Sequence, residues 1–276
     1  GRVGQMVMHH WKKDPREIHI TPQYRGIGPA GSLVWDPLKM GSSAKDGMGN
    51  IRGYDAMIIL AGVISGSSQK LSINTTLAEA CLSAASRAGI ARVLLASSSA
   101  VYGSSDGQAF SERSFCSPAN DYGVAKLKME EACAQWRETG IDLCFLRIGN
   151  VAGADALLLN IDETGPAKPL QIDIFPNGYG PVRSYIGAQT LTQVLQSLCF
   201  HPSPLPHILN VASPTPLSMA SLADAARHPW RKRIASTKSN QNVTLDCSML
   251  ADLHAFSESD SNPIEMIRQW KDTKRQ

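Results

Sequence analysis

The chain has 276 residues, a formal net charge of +3 and 18% charged residues, and this length allows one large α/β domain with a substantial core. Its Lys and Arg residues are scattered, so the composition does not favour a nucleic-acid-binding protein. Its six cysteines are far apart, with no CxxC pair and no histidine at metal-ligand spacing, which argues against a zinc site and a disulfide scaffold.

The longest apolar stretch, "AMIILAGVI", is about half of the ~20 residues that a membrane-spanning helix needs. No charged-then-apolar leader precedes a cleavage site. We therefore expect a cytoplasmic protein without a membrane partner.

The first residues, "GRVGQMVMHHW", place Gly1 and Gly4 three apart before a helical pattern. This spacing matches the second half of a GxxGxxG nucleotide-binding turn, although a plain helix N-terminus would fit it too. The strand and the first glycine that normally precede such a helix are missing from the sequence. We expect either a truncated chain or residues lost from it, with a natural parent about ten residues longer.

Apolar runs rich in β-branched residues then alternate with helical patterns. Strands separated by helices of this length form βαβ units, so the pattern predicts an α/β fold with a doubly wound parallel sheet. The predicted strands are "EIHIT" (17–21), "SLVW" (32–35), "DAMIILAG" (55–62), "ARVLLASSS" (91–99) and "IDLCFLRIG" (141–149), and the predicted helices are 74–88 and 122–139. After about Gly153 the sequence is rich in Gly and Pro, which indicates a smaller, loop-rich lobe.

The segment "ANDYGVAKLKMEEA" places Tyr122 and Lys126 on one face at the start of a helix. A nearby ammonium and the positive end of a helix both favour a phenolate, so we expect the pKa of Tyr122 to be lowered. Such a tyrosine can exchange a proton with an alcohol oxygen while hydride moves to or from a nicotinamide. By itself the YxxxK spacing also arises by accident on solvated helices.

Three serines, Ser97, Ser98 and Ser99, follow one another at the end of a predicted strand. Open α/β sheets bind ligands at the carboxyl ends of their strands. Any one of these hydroxyls could hold a reacting oxygen against Tyr122, or the three could form an ordinary polar turn.

In order and spacing, these motifs resemble the extended short-chain dehydrogenase/reductases, also called the NAD-dependent epimerase/dehydratase family. The resemblance runs through "GRVG", "DAMIILAG", "INTTLAEACLSAASRAGIARVLLASSSAVYG", "SPANDYGVAK", "LRIGNVAG", "VRSYIGAQ" and "ILNVAS". It implies a Rossmann fold that lacks its first strand in this chain, with a small C-terminal substrate lobe. Residues 1–153 would form the dinucleotide-binding domain. Residues 154–276 would supply the last sheet strands and the lobe.

The resemblance also implies roles for individual residues. Tyr122 would be the acid/base, Lys126 would lower its pKa and hold the nicotinamide ribose, and Ser98 would bind the substrate oxygen. The implied cofactor-binding residues are Gly1, Arg2, Val3, Gly4, Arg25, Asp36, Pro37, Leu60, Ala61, Gly62, Asn74, Tyr122, Lys126 and Ile148. Ser99, Asn150 and Arg183 would contact substrate, although Arg183 could equally form a surface salt bridge.

Two departures from the family pattern narrow the function. Dehydratases of the family carry an Asp-Glu pair where this chain has Ser99 and Ala100, so sugar 4,6-dehydration is not expected. An NAD enzyme should carry an acid about 20 residues past the last motif glycine. The segment "HITPQYRG" has none, whereas Arg25 could pair with a 2′-phosphate, which favours NADP over NAD.

We therefore predict an NAD(P)-dependent oxidoreductase or epimerase acting on a nucleotide sugar or a similar small molecule, without a metal and without nucleic acid. The alternatives are an NADPH-dependent reductase of a small carbonyl compound and a non-catalytic NADP-binding scaffold or redox sensor. The family implies a homodimer formed through the two long helices.

Overall fold

The computed structural model describes residues 1–14, 18–39, 51–105, 107–165, 168–237 and 239–275. The helices are α1 (Arg2–Trp11), α2 (Ser68–Leu71), α3 (Ile73–Ala88), α4 (Asp121–Cys133), α5 (Ala156–Thr164), α6 (Ala188–Cys199), α7 (Met219–Ala225), α8 (Ser248–Ala251) and α9 (Pro263–Asp272). The strands are β1 (Gln23–Tyr24), β2 (Leu33–Val34), β3 (Ala56–Ile59), β4 (Arg92–Ser98), β5 (Asp142–Ile148), β6 (Asn150–Val151), β7 (Leu170–Ile174), β8 (Val182–Arg183), β9 (Tyr185–Ile186), β10 (Ile208–Val211), β11 (Leu217–Ser218), β12 (Trp230–Ile234) and β13 (Asn242–Val243).

The central sheet is parallel, with the strand order β10-β5-β4-β3. Successive residues of a strand point to opposite faces, and both faces are buried here. Val93 and Leu95 of β4 pack in one core cluster with α3, whereas Leu94 packs in the other with α1 and α6. This covering on both faces explains why the central strands are continuous apolar runs.

Strands β1 and β2 pair in parallel with each other and form a separate two-stranded sheet. The predicted strand "EIHIT" is not found as such: Glu17 lies outside the described residues, and 18–21 have no regular structure. The ladder of β1 begins only after Pro22, because proline has no N–H to donate to a neighbouring strand. A cavity of about 670 Å³ borders this segment and Asp55, the residue before β3.

The two predicted long helices are present with small shifts at their ends. Helix α3 ends at Gly89, which adopts φ 74° and so closes the helix in the left-handed conformation that glycine favours. Helix α4 begins one residue before the expected Tyr122. Its last predicted residues, Ala134–Thr139, form a 3-10 helix instead.

The chain beyond residue 153 adds one strand and one helix to the central layers. Strand β10 extends the sheet beside β5, and α6 packs against α1. The remaining strands form three small sheets, ordered β11-β8-β13, β12-β7 and β6-β9. Among the described residues, every helix is too short or too polar to cross a bilayer.

Candidate active site

The start of α4 lies directly against the turn that follows β4. Asn120 caps the helix by accepting a hydrogen bond from the Gly123 backbone N–H at 2.8 Å. Gly123 is buried, and a Cβ atom there would collide with the carbonyl oxygen of Ala100. The missing side chain therefore allows the first turn of α4, with Tyr122, to approach the end of β4 at Ser98.

Ser98 and Tyr122 border one cavity of about 510 Å³, together with Ser99, Asn150 and Arg183. Their two hydroxyl groups interact with each other. The third serine, Ser97, does not line this cavity. It is buried on the opposite side of the strand and bonds to another residue, described below.

Burial raises the pKa of Tyr122, and the interaction with Ser98 offsets this only in part. The expected lowering of this pKa is therefore wrong for the structure as it stands. The physical reason is that the phenol is largely desolvated, while the Lys126 ammonium donates to the backbone carbonyl of Ala96 at 2.9 Å. The phenol of Tyr122 is consequently neutral at pH 7.

Lys126 is buried, with 4% of its surface exposed. Burial lowers its pKa to about 8, while the charge of Glu130, one turn further along α4, opposes that change. A Cβ atom at Gly62 would lie 3.5 Å from the Lys126 Nζ and 2.8 Å from Asn74 Oδ1. The loop after β3 thus passes close to both side chains, and this close approach to Asn74 requires glycine at position 62.

Asn74 holds this loop in place. Its side-chain oxygen accepts from the Val63 N–H at 2.8 Å, and its amide nitrogen donates to the Val63 carbonyl at 2.9 Å. Both functional ends of the amide are used by the backbone. Asn74 therefore positions the segment Leu60–Gly62.

Behind Lys126 lies a buried ion pair that the sequence did not predict. Arg147 of β5 donates to Glu130 through Nη2 at 2.7 Å and through Nε at 3.2 Å, and Ser97 also donates to this carboxylate. The Arg147 guanidinium lies over the Tyr102 ring, 4.8 Å from its centroid. In the sequence, this ion pair was indicated only by Glu130, which follows Lys126 by four residues. Its partner on a distant strand was not visible in the sequence.

The first turn of α1 and the ends of β1 and β2 hold the other expected cofactor-binding residues. Gly1 caps α1 without a side-chain bond, and a Cβ atom at Gly4 would have open space around it. Arg25 is exposed directly after β1, and Asp36, followed by Pro37, lies just beyond β2, where its carboxylate accepts from the Leu38 N–H at 3.1 Å. Because β1 and β2 are parallel, these residues lie at the same edge of their sheet.

Ile148 ends β5 directly opposite Ser98 in the register of the central sheet. It is buried. Its place beside the end of β4 brings it next to the cavity, which Gly149 and Asn150 line.

Arg183 is fixed by backbone carbonyls. Its guanidinium donates to the carbonyl oxygens of Val182, Asn240 and Gln241 at 2.7 to 2.8 Å. Burial lowers its pKa, and no carboxylate in the described part of the chain forms an ion pair with it. The alternative of a surface salt bridge is therefore not what the structure has: a partly desolvated cation faces the cavity.

The chain is similar to known proteins in sequence and in fold. Residues 1–167 match the sequence model of the NAD dependent epimerase/dehydratase family. Among curated protein sequences, none matches the chain significantly.

Several solved structures have the same fold. MoeE5 in complex with UDP-glucuronic acid and NAD is 19% identical with a TM-score of 0.78, over 100% of this chain and 96% of that one. UDP-glucuronic acid 4-epimerase from Bacillus cereus in complex with NAD is 18% identical with a TM-score of 0.77, over 100% and 94%. UDP-glucose-4-epimerase from Stenotrophomonas maltophila with bound NAD is 22% identical with a TM-score of 0.67, over 80% and 76%.

Replacing the buried Lys126 with methionine should stabilise the protein at pH 7. In the folded protein the pKa of Lys126 is about 8, below its ordinary 10.5. The unfolded chain therefore binds the Lys126 proton more tightly than the folded chain does. As a result, Lys126 destabilises the fold fully below pH 8, and this effect declines between pH 8 and 10.5. We expect Lys126→Met to gain roughly 1 to 3 kcal/mol at pH 7, and the gain to shrink as the pH rises towards 10.5. Urea denaturation at pH 7 and at pH 10.5 measures the change in stability. Lys128→Met is the control, because Lys128 is exposed on the same helix. A loss of stability that is equal at both pH values would contradict the expectation.

Removing Arg147 should leave the Glu130 carboxylate buried without its cation. We expect Arg147→Met to destabilise the fold by about 3 kcal/mol, measured by urea denaturation. The exposed pair of Arg268 and Glu265 gives a control, since Arg268→Met should change stability much less. The double variant Glu130→Leu/Arg147→Met should be more stable than Arg147→Met alone. If the two substitutions simply add, the network has been misjudged.

Proposed function

The chain belongs to the NAD dependent epimerase/dehydratase family and is an enzyme of the extended short-chain dehydrogenase type, and from this premise we propose that it transfers hydride between NAD(P) and a nucleotide sugar. Ser98, Tyr122 and Lys126 would form the reacting site. The main support is that the Ser98 and Tyr122 hydroxyls interact and face the same cavity as the cationic Arg183.

The residues present fit a dinucleotide. The backbone N–H groups at the start of α1, from Gly1 to Gly4, have no side-chain cap and suit a pyrophosphate. The loop at Gly62 passes close to Lys126, which would hold the nicotinamide ribose. We place Asp36 and Pro37 at the adenine and Ile148 beside the ring-binding end of the cleft. When bound, NAD(P) supplies the hydride acceptor or donor. Residues 1–153 would thus hold the cofactor and the remainder would enclose the substrate.

Tyr122 would handle the proton. Because its pKa is raised by burial, the phenol is protonated at neutral pH and can donate to a carbonyl oxygen that becomes an alcohol. In the reverse direction it would take the proton back, which requires that its pKa falls when the site is filled. Ser98 would hold the same oxygen, and Lys126 would bind the ribose hydroxyls with its ammonium group.

The cavity composition favours epimerase or oxidoreductase chemistry over dehydration. None of the described residues that line it has a carboxylate side chain, whereas elimination of water across a sugar bond needs an acid and a base beside the sugar. Arg183 and Asn150 line the same cavity, and a guanidinium with no carboxylate partner suits a phosphate group. These residues support a nucleotide sugar as the substrate class.

Tyr122→Phe keeps the aromatic ring and removes only the hydroxyl. We expect turnover to fall at least about 100-fold while NAD(P)H affinity stays within a factor of about two, since the ring that packs in the site is retained. Conversion of UDP-, GDP- and dTDP-sugars by NMR and cofactor binding by calorimetry measure the two effects. Tyr179→Phe is the control, because Tyr179 is 72% exposed and outside the cavity.

Full activity of Tyr122→Phe would remove the proposed mechanism. If the wild-type chain binds NADP(H) tightly yet converts no sugar or carbonyl compound, a non-catalytic role replaces it. Turnover of small carbonyl compounds alone would identify a reductase instead.

We also propose a preference for NADP over NAD, although the solved relatives named above contain NAD. Arg25 is exposed at the end of β1, where an NAD enzyme usually has an acid for the ribose 2′-hydroxyl. Arg25→Asp should reverse the ratio of NADP to NAD affinity by about tenfold or more, measured by calorimetry. Arg231→Asp, an equal charge change on the exposed strand β12, should leave the ratio unchanged. Equal affinity of the wild-type chain for both cofactors would refute the preference.

A further inference from the structure

A group of polar side chains lies where the C-terminal turns of α1 and α9 meet, away from the cavity described above. His9 Nε2 is 3.1 Å from Asp272 Oδ2, and His10 Nδ1 is 3.9 Å from the same oxygen. The donor atoms of the three residues all lie within 4.8 Å of one another. Lys13 also reaches this carboxylate, with its Nζ at 2.6 Å.

The electrostatic setting favours a cation. Two helices end at this point, α1 at Trp11 and α9 at Asp272, and the C-terminal end of a helix has partial negative charge. The carboxylate adds a full negative charge. Solvent can also reach the group, because the side chains of His9 and Asp272 are 21% and 23% exposed.

His10 is an unusual member, because it is 5% exposed and yet incompletely bonded. Its Nε2 makes no hydrogen bond of normal geometry with the described residues, and the ring interacts with the backbone of Gln269. Metal-binding histidines typically turn one nitrogen to the ion and the other to a backbone or carboxylate oxygen.

We propose that His9, His10 and Asp272 form a binding site for a divalent transition-metal ion, with Zn²⁺ as the best match. Two imidazole nitrogens and one carboxylate oxygen suit zinc. Around a tetrahedral ion with bonds of about 2.1 Å, the donors are about 3.4 Å apart, and the separations of 3.1 and 3.9 Å bracket that value. A water molecule on the exposed side would complete the coordination.

Lys13 competes with the ion for Asp272. Its ammonium occupies the same carboxylate oxygen, so metal binding has to displace it into solvent, where 53% of its side chain already lies. Lys13 therefore weakens the site. The spacing of these residues gives no zinc motif, because Asp272 lies 263 positions from His9 in the sequence.

Calorimetric titration of the chelator-treated full chain with Zn²⁺, and the visible spectrum of its Co²⁺ complex, test the proposal without any assay of activity. We expect one ion per chain and nitrogen-rich tetrahedral Co²⁺ absorption without thiolate bands. His9→Gln and Asp272→Asn should each weaken binding at least tenfold. Lys13→Met should tighten it about tenfold, because the carboxylate is released.

His201→Gln is the matched control, since His201 lies in a surface loop and bonds within that loop. The His201→Gln variant should bind Zn²⁺ with the same affinity as the wild type. The proposal fails if Zn²⁺ does not bind, if His9→Gln binds as tightly as the wild type, or if Lys13→Met leaves the affinity unchanged. Thiolate-to-cobalt absorption would also overturn it, since that would place the ion on cysteines.

Discussion

Helix α4 can lie against the end of β4 because position 123 has no side chain. A Cβ atom there would collide with the Ala100 carbonyl, and the collision would push the first helical turn away from the strand. With glycine, the cap at Asn120 and the close packing together bring the hydroxyls of Ser98 and Tyr122 to one cavity. The positive end of the helix dipole then also lies near the phenol. The proposed roles of Ser98 and Tyr122 depend on this approach.

Behind that contact, one face of α4 holds Lys126 and Glu130 inside the protein, and Arg147 of β5 pairs with Glu130. Three ionisable side chains lie where apolar residues of similar size would pack at lower cost. Such perturbed groups concentrate at functional sites. The arrangement also has a mechanical effect, since the paired guanidinium and carboxylate fix the rotation of α4 relative to the sheet. Tyr102, stacked on Arg147 and bonded to Asn210, extends this network to β10.

Local sequence patterns predicted the helices and strands whose position depends on nearby residues. Helix α3 was found within one residue because its end is set by Gly89, and β4 and β5 were found because buried parallel strands are continuous apolar runs. A strand at 17–21 would have needed a neighbouring strand to pair with, and a local sequence pattern does not show whether one is present. The pKa of Tyr122 and the pairing of Glu130 with Arg147 were missed for the same reason: burial and a partner on a distant strand are properties of the folded chain. Among three adjacent serines, only the fold separates Ser97, bonded to Glu130, from Ser98.

Arg183, which lines the cavity, has different hydrogen-bond partners from Arg147 in the buried ion pair. Glu130 neutralises Arg147 within the protein, whereas the hydrogen bonds of Arg183 to the described residues go to three carbonyl oxygens, which carry partial charges. Those carbonyls orient the guanidinium but do not cancel its charge, and burial lowers its pKa because the charged form has lost water. An anion that enters the cavity would therefore form a favourable electrostatic interaction with the guanidinium of Arg183, whose charge the carbonyls do not neutralise. A carboxylate from the protein at this position would remove that gain, so the missing protein counter-charge is itself a reason to expect phosphate groups on the substrate.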